Sequence, residues 1–365
     1  MKLPAAPFEG RRERLRELLD RRGLRFLLLT HPPNLAYLTG FRGSAGVLLL
    51  GTRGEANLLV DPRYTFQARE QARGVRVAEV RRGLTQAAGE WLSRRRRGPV
   101  GFEDAYLTCR ALDDVRAHLR GPVRLKPSSG LVESLRAVKD AAEVRAIRRA
   151  GQVTAEVFVE ISKQVRPGVR EADLAAEIEY RMRRKGAEGA AFETIVASGE
   201  RASLPHARAS SKLLKKCDFV IVDLGAILDG YAADMTRTLY LGRPSGRVRR
   251  LYDAVRAAQE EGLAEARAGM VTGDVDAAVR RSLKRAGLAR YFTHSTGHGV
   301  GLEIHEQPRL ARGDTGRLAA GSVVTVEPGI YLKGFGGIRI EDTALVGEGG
   351  AEILTPAPKD DWWVA

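Results

Sequence analysis

Residues 218–225 read Asp-Phe-Val-Ile-Val-Asp-Leu-Gly, an apolar strand pattern with Asp223 near its end. After a turn at Leu228-Asp229-Gly230, a second strand reads Tyr-Ala-Ala-Asp-Met-Thr-Arg-Thr and carries Asp234. A hairpin of these strands sets two carboxylates side by side. Such a pair repels unless a proton or a cation lies between them. Taken alone, the hairpin also fits a salt bridge to Arg237 or two aspartates facing a turn. Residues 293–306 then place His294, His298 and His305, three of the chain's six histidines, among glycines. Imidazole is a common ligand for transition metals, and glycine lets backbone or substrate approach closely. Glu327 ends the apolar run Val-Val-Thr-Val, where a buried carboxylate is costly without a partner. Arg339 and Glu341, two apart, share one face if their segment is a strand. Each feature alone fits a surface ion pair. Together they form a set of four carboxylates and one histidine, each at a strand or glycine-rich junction, which is the donor chemistry of a metal site.

These side chains need a scaffold, and the sequence outlines one. Residues 11–22 read as an amphipathic helix, and apolar runs at 25–30, 47–50, 57–60, 75–80 and 100–102 read as strands. Residues 86–97 read as a helix, and Thr108 can cap another running to about 119. Alternating elements of this kind predict a helix-covered mixed sheet. Pro-Ser-Ser-Gly at 127–130 breaks the pattern, which divides the chain into domains 1–130 and 131–365. A long helix over 140–165, stopped by Pro167-Gly168, and a second over 171–185 open the latter. Glycine-bounded strands with polar residues inside them follow. The length of 365 residues is comfortable for two domains.

Composition narrows the function. Hydrophobic residues make up 44% and charged residues 29%, as in soluble globular proteins. The first strongly apolar run, 26–29, is too short for a signal or membrane helix, so no membrane association is expected. Cys109 and Cys217 have no metal-type spacing and fit a reduced, cytoplasmic setting. The net charge of +15 raises the question of nucleic acid. With only 6% aromatic residues and no aromatic-interleaved basic groove, a basic solvated surface is the expected reading. The densest basic run, 94–97, closes a helical stretch, where it suits the negative end of the helix dipole.

The segments Val-Asp-Leu-Gly, Asp-Met-Thr-Arg-Thr, Gly-His-Gly-Val-Gly-Leu, Val-Glu-Pro-Gly-Ile-Tyr and Ile-Arg-Ile-Glu-Asp resemble, in order and context, those of the pita-bread metallopeptidases. Asn-Leu-Ala-Tyr-Leu-Thr-Gly-Phe at 34–41 resembles the creatinase-type domain that precedes the catalytic domain in proline-directed members. The resemblance implies an α/β two-domain chain whose C-terminal domain is a curved antiparallel sheet with helices outside and metals in its concavity. It implies two divalent metal ions held by Asp223, Asp234, His298, Glu327 and Glu341, with Asp234 and Glu341 bridging. A mainly oxygen donor set with one histidine favours Mn²⁺, with Co²⁺, Zn²⁺ or Fe²⁺ as alternatives. The reaction implied is hydrolysis by a water or hydroxide bridging the metals, with Glu327 moving a proton to the leaving amine. His206, His294 and His305 match family histidines that bind substrate or stabilise the tetrahedral intermediate, and Arg339 matches an arginine beside the last ligand. A homodimer is also implied.

Within the family, creatinase does not retain this ligand set, and methionine aminopeptidase normally lacks such an N-terminal domain. That leaves cleavage of Xaa-Pro bonds, whose imide nitrogen has no N–H to dock as an ordinary strand. Arg309 sits where some prolidases carry an arginine for the dipeptide carboxylate, and its planar fork suits that group. An Xaa-Pro dipeptidase is therefore expected. The alternatives are an Xaa-Pro aminopeptidase (aminopeptidase P) acting on longer peptides and, more remotely, a non-catalytic binding module.

Overall fold

The computed structural model describes residues 6–95 and 98–364. The chain divides into two compact units, Met1–Arg136 and Ala137–Ala365. The division follows Arg136 rather than residue 130. Leu131–Arg136 is a short helix whose Leu131 and Val132 are buried and whose Arg136 Nη1 donates to Asn34 Oδ1 at 2.8 Å, so it belongs with the first unit.

The first unit holds a six-stranded sheet in the order Arg76–Glu79, Ala56–Val60, Val47–Gly51, Phe26–Leu29, Pro99–Phe102, Arg124–Pro127. Phe26–Leu29 pairs antiparallel with Val47–Gly51 and parallel with Pro99–Phe102, so the sheet is mixed. Phe26–Leu29 is buried at every position, which explains its unbroken apolar run. The helices Leu84–Ser93 and Cys109–Ala117 pack Leu92 and Val115 against Phe26 and Leu49. Thr108 caps the latter helix by accepting from the Ala111 amide. The former ends at Ser93, earlier than the 86–97 reading; Arg95 turns back over the Trp91 ring, and Arg96 and Arg97 lie outside the described residues.

The second unit opens with the helix Ala141–Ser162, held by a capping box in which Asp140 accepts from Glu143 N and Glu143 accepts from Asp140 N. Glu171–Arg184 follows. Two further helices, Gly246–Glu265 and Thr272–Arg285, come after the first strands. The strands form two main sheets, antiparallel except where Trp363–Val364 runs parallel to Met235–Leu241. One runs Trp363–Val364, Met235–Leu241, Phe219–Leu224, Ile195–Ser198; the other runs Glu306–Leu310, Gly297–Gly299, Val323–Val326, Asp342–Val346, Ala351–Ile353.

The strand Phe219–Leu224 shows why this unit needs so apolar a sequence. Val220, Val222 and Leu224 pack with Phe158, Ile161 and Ile178 of the first helix pair. Phe219 and Ile221, on the opposite face, pack with Val255 and Leu283 of the second pair. Asp223 has the parity of Phe219 and Ile221, so a carboxylate replaces an apolar side chain on that face.

The hairpin expected around Asp223 and Asp234 takes a different form. Phe219–Leu224 does pair with Met235–Leu241, but in a register that sets Asp223 opposite Thr236. Between them a miniature hairpin, Ala226–Leu228 with Tyr231–Ala232, turns through Asp229 (φ 52°) and Gly230 (φ 83°). Those two positive φ angles make the tight turn, for which Asp-Gly is a favoured pair. Asp234 therefore lies one residue before its strand and reaches the site diagonally from Asp223. No helix among the described residues is long and apolar enough to cross a membrane.

Candidate metal centre

Asp234, His298 and Glu341 offer ligand atoms that all lie within 4.8 Å of one another. Thr343 grips the backbone of Asp234 from both sides: its Oγ1 accepts from Asp234 N and donates to Asp234 O. Thr236 Oγ1 donates to Glu341 Oε2 at 2.5 Å. Thr325 Oγ1 accepts from His298 N at 3.0 Å and donates to Glu327 Oε1 at 3.2 Å. Each threonine stands two residues from a carboxylate of the group, hence on its strand face.

His298 is seated by the glycines beside it. A Cβ on Gly297 would lie 2.0 Å from the Thr325 carbonyl oxygen, and one on Gly299 would lie 2.1 Å from that of Gln307. No side chain fits either gap, so neighbouring strands can close on the histidine. His298 Nδ1 lies 3.0 Å from Gly299 O, which fixes the proton on Nδ1 and leaves the Nε2 lone pair facing the acids. Nε2 stands 3.4 Å from Glu327 Oε1 and 3.7 Å from Asp234 Oδ2.

Asp223 borders this group and is held by Arg339, whose Nη2 donates to Oδ2 at 2.5 Å. The other oxygen, Oδ1, is buried without a hydrogen-bond partner. Arg339 is itself buried, and donates from Nε to Thr236 Oγ1 and from Nη1 to the Tyr331 hydroxyl and the Pro205 carbonyl. Arg237, the expected competitor for the aspartates, instead pairs with the buried Asp342 at 2.8 Å.

The electrostatics are those of a site built for cations. Burial first, and then the facing carboxylates, push Asp234 and Glu341 well above the ordinary carboxylate range. Burial raises Glu327 to about 8, with Arg339 opposing and Asp223 adding to the rise. Burial also lowers His298 to about 4, so its imidazole is neutral at pH 7. Four acids face a single guanidinium. The orphaned Asp223 Oδ1, the three converging donors and the neutral imidazole fit divalent cations, which would replace the missing counter-charge.

Three further histidines marked in the sequence, His294, His305 and His206, lie near this group. His294 Nδ1 lies 2.8 Å from Ser295 O, and Nε2 lies 2.8 Å from the Tyr331 hydroxyl oxygen Oη. Burial lowers His294 to about 4 as well. The His305 ring lies 4.3 Å from that of His298, edge to face, and burial lowers its pKa also. His206 is exposed in the turn after Gly199–Ser203, whose Pro205 carbonyl Arg339 holds. Arg309 is exposed on Glu306–Leu310 and makes no ion pair among the described residues. Tyr331 is a site residue that sequence reasoning missed, as are the three threonines. A threonine two residues from each of Asp234, Glu327 and Glu341 was the available signal.

The metallopeptidase family M24 model matches residues 145–348, and the creatinase/prolidase N-terminal domain model matches 11–138. The chain belongs to metallopeptidase family M24. It is 41% identical over 64% of its length to an Xaa-Pro dipeptidase of Pyrococcus furiosus, covering 68% of that protein. It superposes on an Xaa-Pro dipeptidase from Bacillus anthracis with a TM-score of 0.93 and 37% identity, covering 98% of this chain and all of that one. An X-Pro aminopeptidase from Thermotoga maritima gives a TM-score of 0.89 at 34% identity, with 97% and 99% covered. The architecture is thus a creatinase-type N-terminal domain followed by a pita-bread catalytic domain, as expected. As an M24 metallopeptidase the chain is an enzyme that works with divalent metal ions.

Proposed function

We propose that this M24 enzyme is an Xaa-Pro dipeptidase whose two divalent cations are held by Asp223, Asp234, His298, Glu327 and Glu341. The observation that carries the reading is the buried carboxylate–imidazole group, with its orphaned Asp223 oxygen, in a chain similar over nearly its whole length to Xaa-Pro dipeptidases. Asp234 and Glu341, each at the meeting point of several acids, would hold the cations most centrally. Mostly oxygen donors with one imidazole favour Mn²⁺. When bound, such cations supply a water of lowered pKa and polarise the scissile carbonyl.

The chain's own groups then divide the work. Glu327 Oε1 is occupied by Thr325, which leaves Oε2 to take a proton and deliver it to the departing proline nitrogen. Arg339 fixes the Asp223 carboxylate, and Tyr331, accepting from Arg339, donates to His294 Nε2 and orients that imidazole, which burial keeps neutral. His206, His294 and His305 bind substrate, and His206 and His305 donate hydrogen bonds to oxygen that gains charge in the transition state. Arg309, exposed four residues beyond His305, presents its fork to the dipeptide carboxylate. The working form is assigned as a homodimer in the cytoplasm, a setting that suits the free cysteines Cys109 and Cys217; sedimentation of the loaded protein tests the dimer.

A second reading, an aminopeptidase for longer Xaa-Pro peptides, is favoured by the likeness to the Thermotoga maritima enzyme. Turnover of Ala-Pro against a longer peptide with the same leading pair separates the two. Higher kcat/KM on the longer peptide would reject the dipeptidase.

A further inference from the structure

The side chain of Glu171, the first residue of the helix Glu171–Arg184, is completely buried yet lies outside the metal centre. Its two oxygens serve different stretches of chain. Oε1 accepts from Ser198 N and Ser198 Oγ, both at 2.8 Å. Oε2 accepts from Ser210 N at 3.1 Å, Ser210 Oγ at 2.7 Å and Arg201 Nε at 3.1 Å. Ser198 ends the strand that pairs with the Asp223 strand. Ser210 lies twelve residues further on, and the segment between them carries His206. One carboxylate therefore joins both ends of the loop.

Other contacts tighten the same loop. Arg201 Nη2 donates to the Arg208 carbonyl at 2.5 Å, bracing it internally. Lys212 Nζ donates to Ser198 Oγ at 2.6 Å, so Ser198 both donates and accepts at the base. Ala172 N donates to Ser210 O, which ties the loop's exit to the helix backbone. Near the apex, Pro205 O accepts from Arg339, the residue that grips Asp223. The segment is fixed at its base by a buried carboxyl group and near its tip by the arginine of the metal centre.

We infer that Glu171 is a positioning residue for His206, closing the 198–210 loop so that the exposed imidazole is held in a single place over the substrate. This rests on His206 acting on the substrate, as proposed above. Five donors converge on Glu171, and the two oxygens of one carboxylate accept from all of them. Free rotation of an eleven-residue segment would spread His206 over many positions; an ångström of misplacement near a reacting centre costs up to about a hundredfold.

The test is a double-mutant cycle of Glu171→Gln and His206→Ala in the metal-loaded enzyme on Ala-Pro, joined to limited trypsin cleavage at Arg201 and Arg208. Glutamine is isosteric, but its amide turns donors toward donors at one end of the loop. The expected result is a fall in kcat/KM of about ten- to a hundredfold for Glu171→Gln, with metal content unchanged, little further loss in the His206→Ala background, and faster cleavage at the two arginines. Should Glu171→Gln fold poorly, Ser210→Ala removes one side-chain bond and should give the same non-additive pattern on a smaller scale. Additive losses, or cleavage at the wild-type rate, overturn the inference. If His206→Ala alone leaves turnover intact, the role given to His206 is wrong, and the cleavage pattern by itself decides whether Glu171 closes the loop.

Discussion

Arg339 and Asp223 form a one-sided pair: the guanidinium engages Oδ2 at 2.5 Å, while Oδ1 of the same carboxylate is buried without a hydrogen-bond partner. The arginine thus orients Asp223 without using it up, and the free oxygen is the one available to a cation. Lysine in place of Arg339 keeps the charge but cannot serve Asp223, Tyr331, Thr236 and the Pro205 carbonyl together. Arg339→Lys should cut activity about ten- to a hundredfold, in the manner of other residues that orient ligands. Steady-state kinetics at saturating metal check this, and near wild-type kcat/KM would show that charge alone suffices.

Metal removal should change how stability responds to pH. Burial and neighbouring acids raise Asp234 and Glu341, and Glu327 to about 8. For an acid raised on folding, the stabilising contribution is complete below its unfolded value, near 4.5 for glutamate, and is lost as pH rises through the folded value. The metal-free protein should therefore melt at falling temperatures as pH goes from 5 to 9. The loaded protein should not, because cations replace the protons. Melting curves with and without chelator test the sign; a metal-free protein that gains stability over that window contradicts it.

Thr325→Val preserves shape but removes the hydroxyl that joins His298 N to Glu327 Oε1. Apparent metal affinity should fall about ten- to a hundredfold. Titration of metal-free protein with Mn²⁺ reads this directly, and an unchanged binding curve would remove the threonine from the centre's support.

Arg309→Ala should raise KM for Xaa-Pro dipeptides several-fold and leave amidated dipeptides nearly unaffected. The reason is that only the free carboxylate offers two oxygens to the guanidinium fork. Equal effects on both substrates would mean that Arg309 is one more surface arginine.

The carboxylates of the centre were legible because each interrupts an apolar strand or sits at a glycine junction, where an acid is costly. Asp223 stands out for that reason: its neighbours face two helix pairs, so every other position must be apolar. The register was not legible. Asp-Gly at 229–230 signals a turn, but not that it belongs to a separate miniature hairpin that shifts Asp234 off the Asp223 row. Tyr331 and Glu171 were invisible for another reason. Tyrosine in a strand and glutamate in the first turn of a helix are ordinary, and their partners lie 8 to 39 residues away. The short helix Pro32–Thr39, with prolines at its start and Gly40 left-handed at its end, is too brief for periodicity to declare it.

The five residues assigned to the metals are spread from Asp223 to Glu341 in a chain of 365. The last of them is translated 118 residues after the first. A nascent or truncated chain lacking the strand Asp342–Val346 and its neighbours cannot assemble the pocket, however well its early helices form. Metal capture thus waits until strands made far apart in time have come together. It acts as a certificate of completed folding, because ions that bind only the finished site favour it by mass action.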